Sequence, residues 1–311
     1  MNAYDKTPGM RALGQGMGAG LRWRFLLLWI VLSWIPAAVI GWPVWQALGG
    51  VFDHAVPAAG WAAQFHWMEL DGIFGAMGHS AGALQGATTV AFIFTLLLSP
   101  LLTGMAIASG RSAQSPGLGE LLHGGLLEYW RMVRIGLWSL IPLGIALIIG
   151  SIALNAADRY ADTAVLESQA RLAVQLAWVV FGIVFVIAHA GVEAGRAQFV
   201  AEPGLRSGLR ALSRGYRQLL RRPLASFGIY LAASIIGIVV LLALAMLRTR
   251  VNASGVGGFI AAFLVTQAMV AVVAWMRASR LIGLGGIAGR RGMAPSASYA
   301  SVPRPRVASI A

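Results

Sequence analysis

The chain has 311 residues, of which 58% are hydrophobic and only 11% are charged. This composition excludes a water-soluble domain with a polar surface and is typical of a multi-pass membrane protein. The formal net charge of +13 would suggest nucleic-acid binding in a soluble protein, but the distribution of the basic residues points to a membrane instead. The chain contains no cysteine, which excludes disulfides and thiolate metal sites.

Six apolar stretches are long enough to cross a hydrocarbon core of about 30 Å as helices. They comprise residues 25–48, 88–108, 135–153, 172–191, 224–246 and 257–276. We therefore expect an all-α integral membrane protein with a six-span membrane domain over residues 25–280. Residues 1–24 are expected to form an N-terminal segment with an interfacial helix. Residues 281–311, which contain no acidic residue, are expected to form a disordered basic tail.

Basic residues are distributed unequally between the two sides of these spans. The side that holds both termini carries 20 of the 24 lysines and arginines, and the remaining four lie on the other side, at Arg159, Arg171, Arg248 and Arg250. The positive-inside rule then places both termini in the cytoplasm. Only Lys6 is a lysine, which is typical of a GC-rich bacterial genome, so the predicted location is a bacterial inner membrane.

The spans also repeat in pairs. Spans two, four and six end in short motifs whose last arginines are Arg111, Arg196 and Arg280, which are 85 and 84 residues apart. Each odd span follows a glycine-led stretch that ends in arginine, and we call these three stretches the lead-in segments: residues 14–24, 117–131 and 204–222. The pattern predicts three pseudo-repeated hairpins, each preceded by an interfacial amphipathic helix. The alternative is that the positive-inside rule alone favours similar span ends.

The third lead-in segment carries a stripe of arginines at helical spacing, within an arc of about 80°. We call this set the arginine stripe: Arg206, Arg210, Arg214, Arg217 and Arg221. A separate apolar arc contains Leu205, Leu209, Leu212, Tyr216, Leu219 and Leu220. Such a helix is expected to lie in a membrane interface, with its arginines on anionic lipid headgroups and its leucines at the acyl boundary.

One span contains a strongly polar stripe. Gln175, His189 and Glu193 fall within about 40° of one another on a helix. Ionisable groups at membrane depth are costly and often mark ion or proton routes, so these three residues form a candidate intramembrane polar site. The alternative is that Glu193 lies at the interface and is satisfied by water, His189 or Arg196.

Two further patterns lie in the first outer loop, residues 49–87. Gly78–Gly82 matches the G-x-S-x-G motif of serine hydrolases around Ser80, but that motif needs a sheet that a loop of this length cannot supply. The same loop holds six residues of metal-binding type: Asp53, His54, His66, Glu69, Asp71 and His79. Their spacing matches no metal motif. We therefore expect no catalytic residue, no metal and no cofactor.

Three short motifs carry a family resemblance: Leu98–Gly104, Gly110–Arg111 and Gly117–Leu121. In these the chain resembles a loose group of six-span bacterial inner-membrane proteins assigned to domain-of-unknown-function families. Its layout over residues 10–285 is also similar to the membrane domain attached to some glycerophosphodiester phosphodiesterases. The chain contains no catalytic phosphodiesterase domain, so the resemblance implies the layout of the spans but no activity and no site residue.

The functional hypothesis that follows is a non-enzymatic membrane component that assists another complex or senses the membrane. Its expected partners are membrane lipids with anionic headgroups, together with another membrane protein or a second copy of the chain, and not nucleic acid. The alternative is a transporter or lipid-handling protein with a polar cavity among the repeats, lined by His189 and Glu193.

Overall fold

The computed structural model describes residues 8–52, 75, 78, 80–112, 114–252 and 255–289, and within these residues the regular secondary structure is all α-helix. The helices are α1 (Pro8–Gly20), α2 (Trp23–Phe52), α3 (Ala81–Arg111), α4 (Leu118–Thr163), α5 (Glu167–Ala201), α6 (Gly208–Arg221), α7 (Pro223–Arg250) and α8 (Gly255–Gly289). Six of them, all except α1 and α6, are long and apolar enough to span a membrane. The predicted all-α, multi-pass architecture is confirmed.

Large apolar side chains cover the outer surface of the long helices. Exposed examples from five spans are Ile93, Leu140, Ile183, Val239 and Leu264. A soluble protein rarely exposes a continuous apolar surface of this kind, whereas a lipid bilayer is the solvent that such side chains prefer. The buried core is therefore concentrated where helices touch one another, and small residues make many of those contacts.

Local sequence signals set the beginnings of several helices. At the start of α6 the Ser207 hydroxyl accepts a hydrogen bond from the Arg210 amide, at 3.3 Å, which satisfies one of the free N–H groups of the first turn. At the start of α4 the Glu120 carboxylate accepts from the Gly117 amide at 2.8 Å. Pro223 occupies the first position of α7, where its missing N–H costs nothing.

The prediction of a separate interfacial helix before each hairpin is wrong for the second hairpin. Residues 117–131 are continuous with the third span in the 46-residue helix α4. We call each predicted hairpin together with its lead-in segment a unit. In the third unit, by contrast, Arg222 leaves the helical conformation and Pro223 starts a new helix. No proline occurs in α4 before Pro142, so nothing forces the second lead-in segment to end before the span begins.

Two predicted non-helical regions are also shorter than expected. The connection expected between the third and fourth spans is reduced to residues 164–166, because α4 and α5 both extend beyond the apolar stretches. Residues 281–289, predicted as the beginning of a disordered tail, are the last turns of α8. Leu281, Leu284 and Ile287 recur every three residues and are all buried, so packing against the bundle keeps this segment helical. Residues 290–311 lie outside the described residues.

Each lead-in segment packs on the C-terminal half of span two, four or six, which are helices α3, α5 and α8. The first segment, α1, lies on α8, the first turns of α4 lie on α3, and α6 lies on α5. In all three contacts glycine allows a close approach: a Cβ at Gly16 would be 2.6 Å from the Ser279 carbonyl oxygen, and one at Gly104 would be 2.7 Å from the Gly125 carbonyl oxygen. A Cβ at Gly215 would collide with the backbone of α5.

The order of these contacts is cyclic. The lead-in segment of the second unit packs on the last span of the first unit, and that of the third unit packs on the last span of the second. The lead-in segment of the first unit packs on α8, the last span of the third unit, where the Trp275 indole N–H donates to the Met17 carbonyl at 3.0 Å. Helices α3, α5 and α8 also meet one another, at Gly110, Val200 and Ile282. We call this part of the molecule the arginine-rich end of the bundle.

Candidate functional site

The structure separates the predicted polar stripe of α5 into two parts. His189 and Glu193 lie one turn apart at the arginine-rich end, whereas Gln175 lies about 21 Å along the helix from His189 and is exposed. His189 is engaged by another helix, since its Nδ1 atom is 2.9 Å from the Tyr230 hydroxyl of α7. The structure therefore places His189 and Glu193 together at this end and does not bring Gln175 to them.

Glu193 is the most buried acidic side chain of the described residues, with 1% of its side chain exposed. Its Oε1 atom accepts a hydrogen bond from Arg196 Nη1 at 2.9 Å. Its Oε2 atom is buried as well and has no hydrogen-bond partner among the described residues. Arg196 thus satisfies one oxygen of the carboxylate, and the whole side chain is buried in the protein.

Two arginines of α8, which the sequence analysis did not place at this site, complete it. The Arg280 guanidinium donates to the Ser234 hydroxyl at 3.2 Å and stands over the Tyr230 ring, 5.4 Å from its centroid. The Arg277 guanidinium lies 5.9 Å from the centroid of the Trp29 ring. Both cations gain from the aromatic faces. The Nε atoms of both arginines are buried without a hydrogen-bond partner among the described residues.

We call Glu193, Arg196, Arg277 and Arg280 the arginine cluster. Arg196 donates to the Glu193 carboxylate, and Arg280 stands over the ring of Tyr230, whose hydroxyl contacts His189 one turn before Glu193 on α5. Arg277 lies three residues before Arg280 on α8. Guanidinium groups stay protonated in proteins, so three positive charges face a single negative charge. Burial in a medium of low polarity strengthens every such interaction and also raises the cost of each uncompensated charge.

Other described carboxylates that form ion pairs have partners elsewhere. Glu128 pairs with Arg111 at 2.7 Å and with Arg131 at 3.0 Å, and Glu167 pairs with Arg171 at 2.7 Å near the opposite end of the bundle. The sequence signal for the cluster is the pair Arg277 and Arg280, three residues apart, which in a single sequence is indistinguishable from the basic end of a span. Their role depends on α8 continuing into the bundle, which hydropathy alone does not reveal.

Arg206 lies two residues before α6, and the other four arginines of the stripe lie on the face of α6 that points away from the bundle. All five are exposed, and Arg214 forms an ion pair with Glu202. The apolar arc is divided, because Leu205, Leu212 and Leu219 are buried against the protein whereas Leu209 and Leu220 are exposed. Small residues explain the difference: glycines on α5 and α6 let the two helices approach so closely that protein replaces lipid on this face.

Two buried glutamines hold α6 in this position. Gln198 Nε2 of α5 donates to Gln218 Oε1 of α6 at 2.6 Å, and Gln218 Nε2 donates to the Leu284 carbonyl of α8 at 3.2 Å. The Tyr216 hydroxyl of α6 donates to the Ala188 carbonyl of α5 at 2.9 Å. Hydrogen bonds between buried groups are directional, so they fix the rotation of α6 and hence the direction in which the arginine stripe points.

The remaining sequence motifs fall mainly outside this region. Ser80 directly precedes α3, and Gly82 lies in the first turn of that helix. The six residues of metal-binding type in the first outer loop lie outside the described residues: Asp53, His54, His66, Glu69, Asp71 and His79. The structure therefore assigns no geometry to the metal-type residues of that loop.

Comparison of the chain with models of protein families, with curated proteins and with solved structures found no match. The resemblance carried by residues 98–121 accordingly stays a prediction. Two features of the arginine-rich end bear on function: the exposed arginine stripe and the buried arginine cluster.

Proposed function

We propose that this multi-pass membrane protein is a non-enzymatic component that senses the anionic lipid content of the membrane through the arginine stripe of α6. One observation supports this function above all: the four arginines of the stripe that lie in α6 are exposed on one face, while the opposite face is packed on the bundle. The stripe therefore has a fixed orientation. A sensor needs this property, because lipid binding can act on the bundle only through a rigid connection.

The position of α6 along the chain places the stripe next to the hydrocarbon. Helix α7 begins immediately after α6, and the apolar side chains of Leu220 and Leu224 at this junction are 81% and 90% exposed. Apolar residues exposed beside an arginine stripe are typical of the boundary between headgroups and acyl chains. Each basic residue near an anionic surface contributes about 1 kcal/mol to binding.

Neutralising the stripe should weaken the binding of anionic lipid. We expect the triple substitution Arg210→Gln, Arg217→Gln and Arg221→Gln to reduce the affinity for phosphatidylglycerol roughly 100-fold, given about 1 kcal/mol for each arginine. Arg214 is left unchanged because it pairs with Glu202. The measurement is native mass spectrometry of lipids retained by the protein from nanodiscs of phosphatidylcholine with increasing phosphatidylglycerol.

The matched control removes three exposed arginines from the opposite end, by Arg159→Gln, Arg171→Gln and Arg250→Gln. This variant has the same net charge as the first and should retain phosphatidylglycerol like the natural protein. If both variants lost the lipid equally, net charge and not the stripe would explain the binding. If neither lost it, the proposed headgroup contact would be refuted.

We also propose that the chain consists of three pseudo-repeated units with both termini in the cytoplasm of a bacterial cell. The cyclic packing of the lead-in segments supports the repeat, and the excess of basic residues on one side supports the orientation. Among the three units, only the second has its lead-in segment fused to its first span.

The orientation can be tested by labelling, because the chain has no cysteine of its own. Ser213→Cys places a thiol on the exposed face of α6, and Val165→Cys places one in the connection between α4 and α5, where Val165 is 93% exposed. In spheroplasts a membrane-impermeant maleimide should label Val165→Cys directly and Ser213→Cys only after permeabilisation. The reverse pattern would overturn the proposed orientation.

A second candidate function, transport or lipid handling, is favoured by the buried arginine cluster. Native mass spectrometry of the protein extracted gently from its own membrane separates the two candidates. A second protein at fixed stoichiometry would favour the accessory role, whereas a small molecule or a single lipid retained by the lone chain would favour transport or lipid handling.

A further inference from the structure

We propose that the arginine cluster is a binding site for a protonated phosphate group, as found in inorganic phosphate and in the phosphomonoester headgroup of phosphatidic acid. The site comprises Arg196, Arg277 and Arg280 as donors and Glu193 as acceptor. It uses none of the arginines of the α6 stripe. The inference therefore goes beyond lipid sensing by α6 and can succeed or fail independently of it.

The charges of the arginine cluster do not balance. An arginine inside a membrane bundle is costly unless its charge is compensated, and here three guanidinium groups share one carboxylate. Among the described residues, the other ion-paired acids have basic partners of their own, as Glu128 has in Arg111 and Arg131. A bound anion would compensate the surplus positive charge, which the described part of the chain does not compensate.

The arginine cluster also contains hydrogen-bond donors without a partner among the described residues. No described residue accepts a hydrogen bond from Arg277, and the Nε groups of Arg277 and Arg280 are both buried and unpartnered. A guanidinium group presents its N–H donors in a planar fork that matches the oxygens of a phosphate group. Two such forks on neighbouring turns of α8 provide donors for more than one oxygen of the same anion.

Glu193 determines the kind of anion that fits. Its Oε2 atom is a buried acceptor without a partner among the described residues, and its Oε1 atom accepts from Arg196 at 2.9 Å. Glu193 lies one turn from His189, and His189 and Arg280 both contact Tyr230. A fully deprotonated anion or a phosphodiester would be repelled by the Oε2 atom. An oxyanion that still carries a P–OH group can instead donate its proton in a hydrogen bond to Oε2, which satisfies the carboxylate while its other oxygens accept from the arginines.

The burial of the residues indicates how the anion would approach. Glu193 has 1% of its side chain exposed and Arg196 has 16%. Arg277 and Arg280 are also partly exposed, although their Nε atoms are not. An anion would therefore meet the guanidinium groups first and reach the carboxylate last. A lipid headgroup or a free anion could both follow this route, because both present the same phosphate chemistry.

The test is isothermal titration of the full-length protein in phosphatidylcholine nanodiscs with inorganic phosphate, and with sulfate as the comparison. Sulfate has a similar shape but carries no proton near neutral pH. We expect phosphate to bind at least tenfold more tightly than sulfate. In a second arm, native mass spectrometry compares retention of phosphatidic acid with that of phosphatidylglycerol, whose phosphodiester has no P–OH group.

Arg277→Gln is the main variant, because Arg277 makes no hydrogen bond to a described residue and its loss should leave the bundle folded. We expect it to weaken, at least tenfold, whichever is observed for the natural protein: the binding of phosphate or the retention of phosphatidic acid. Glu193→Gln tests the acceptor and should abolish the preference for phosphate over sulfate. Arg159→Gln, at an exposed position near the opposite end of the bundle, is the control and should bind phosphate like the natural protein.

Each outcome decides the question. Binding of phosphate identifies a free anion as the ligand, and retention of phosphatidic acid alone identifies the lipid headgroup. The proposal is overturned if neither phosphate nor phosphatidic acid binds, or if Arg277→Gln changes nothing. It is also overturned if sulfate binds as tightly as phosphate, or if phosphatidylglycerol is retained as well as phosphatidic acid. Failure of lipid sensing by α6 would appear in the stripe variant and not in these measurements.

Discussion

Replacing Gly215 with alanine should destabilise the protein by about 3 kcal/mol, although the change adds a single methyl group. The new Cβ atom would collide with the backbone of α5 at Gly195 and Ala194. Because the obstacle is main chain and not the end of a flexible side chain, no rotamer change can relieve the overlap, and α6 would have to move away from α5. That movement would also strain the hydrogen bond between Gln198 and Gln218.

The matched control is Gly182→Ala in α5, where an added Cβ would have no atom within 4 Å. Alanine favours helix over glycine by up to about 1 kcal/mol, so this variant should be as stable as the natural protein or slightly more stable. The measurement is thermal unfolding of both variants in the same detergent. Equal melting temperatures for Gly215→Ala and the natural protein would contradict the close approach of α5 and α6.

Replacing Glu193 with glutamine should destabilise the protein by about 3–5 kcal/mol, because the change leaves buried positive charge without its carboxylate. The side chain keeps its shape, so the effect reports charge and not packing. Glu167→Gln removes a carboxylate from the ion pair with Arg171, whose side chains are 86% and 69% exposed respectively. An exposed pair contributes at most about 1 kcal/mol, so this control should change stability little.

A double variant separates charge from other effects of the Glu193 substitution. Adding Arg196→Gln to Glu193→Gln removes one of the three unbalanced positive charges and should recover part of the lost stability. Melting temperatures of the two single variants, the double variant and the natural protein form a complete cycle. A Glu193→Gln protein as stable as the natural one would show that the cluster does not depend on its carboxylate.

The six spans were predictable from the sequence because bilayer thickness is a constraint on each segment by itself. An apolar run of about 20 residues must be helical to satisfy its own backbone in lipid, whatever its neighbours are. The ends of the helices cannot be predicted from each segment by itself. Residues 281–289 are helical because α1, α5 and α7 pack on them, and hydropathy of the segment contains no information about those distant partners.

The arginine cluster was unpredictable for the same reason. Its residues come from α5 and α8, and the aromatic rings beneath Arg277 and Arg280 come from α2 and α7. A single sequence shows which residues share a helical face, but not which faces meet. His189 was predicted to act with Glu193, and the structure instead places its ring nitrogen on Tyr230, a residue 41 positions away.

The pattern of α6 predicts which residues share a face, and in the structure Arg210 and Arg217 are exposed while Leu212 and Leu219 are buried against the protein. An amphipathic pattern has the same period whether its apolar face meets lipid or protein. The distinguishing signal was the row of small residues on that face: Gly208, Ala211 and Gly215 recur at spacings typical of closely packed helices. Together with the leucines, this row of small residues favours contact between α6 and the bundle.

The docking of α1 on α8 has a consequence for how the protein is made. The hydrogen bond from Trp275 to Met17 joins residues 258 positions apart, so the surface that receives α1 does not exist until the last span has been synthesised. At about 5–20 residues per second, α1 waits roughly 13–50 seconds after it leaves the ribosome. During this interval its apolar face has only lipid or a chaperone to cover it. Helix α1 therefore reaches its final place only after α8 has been synthesised.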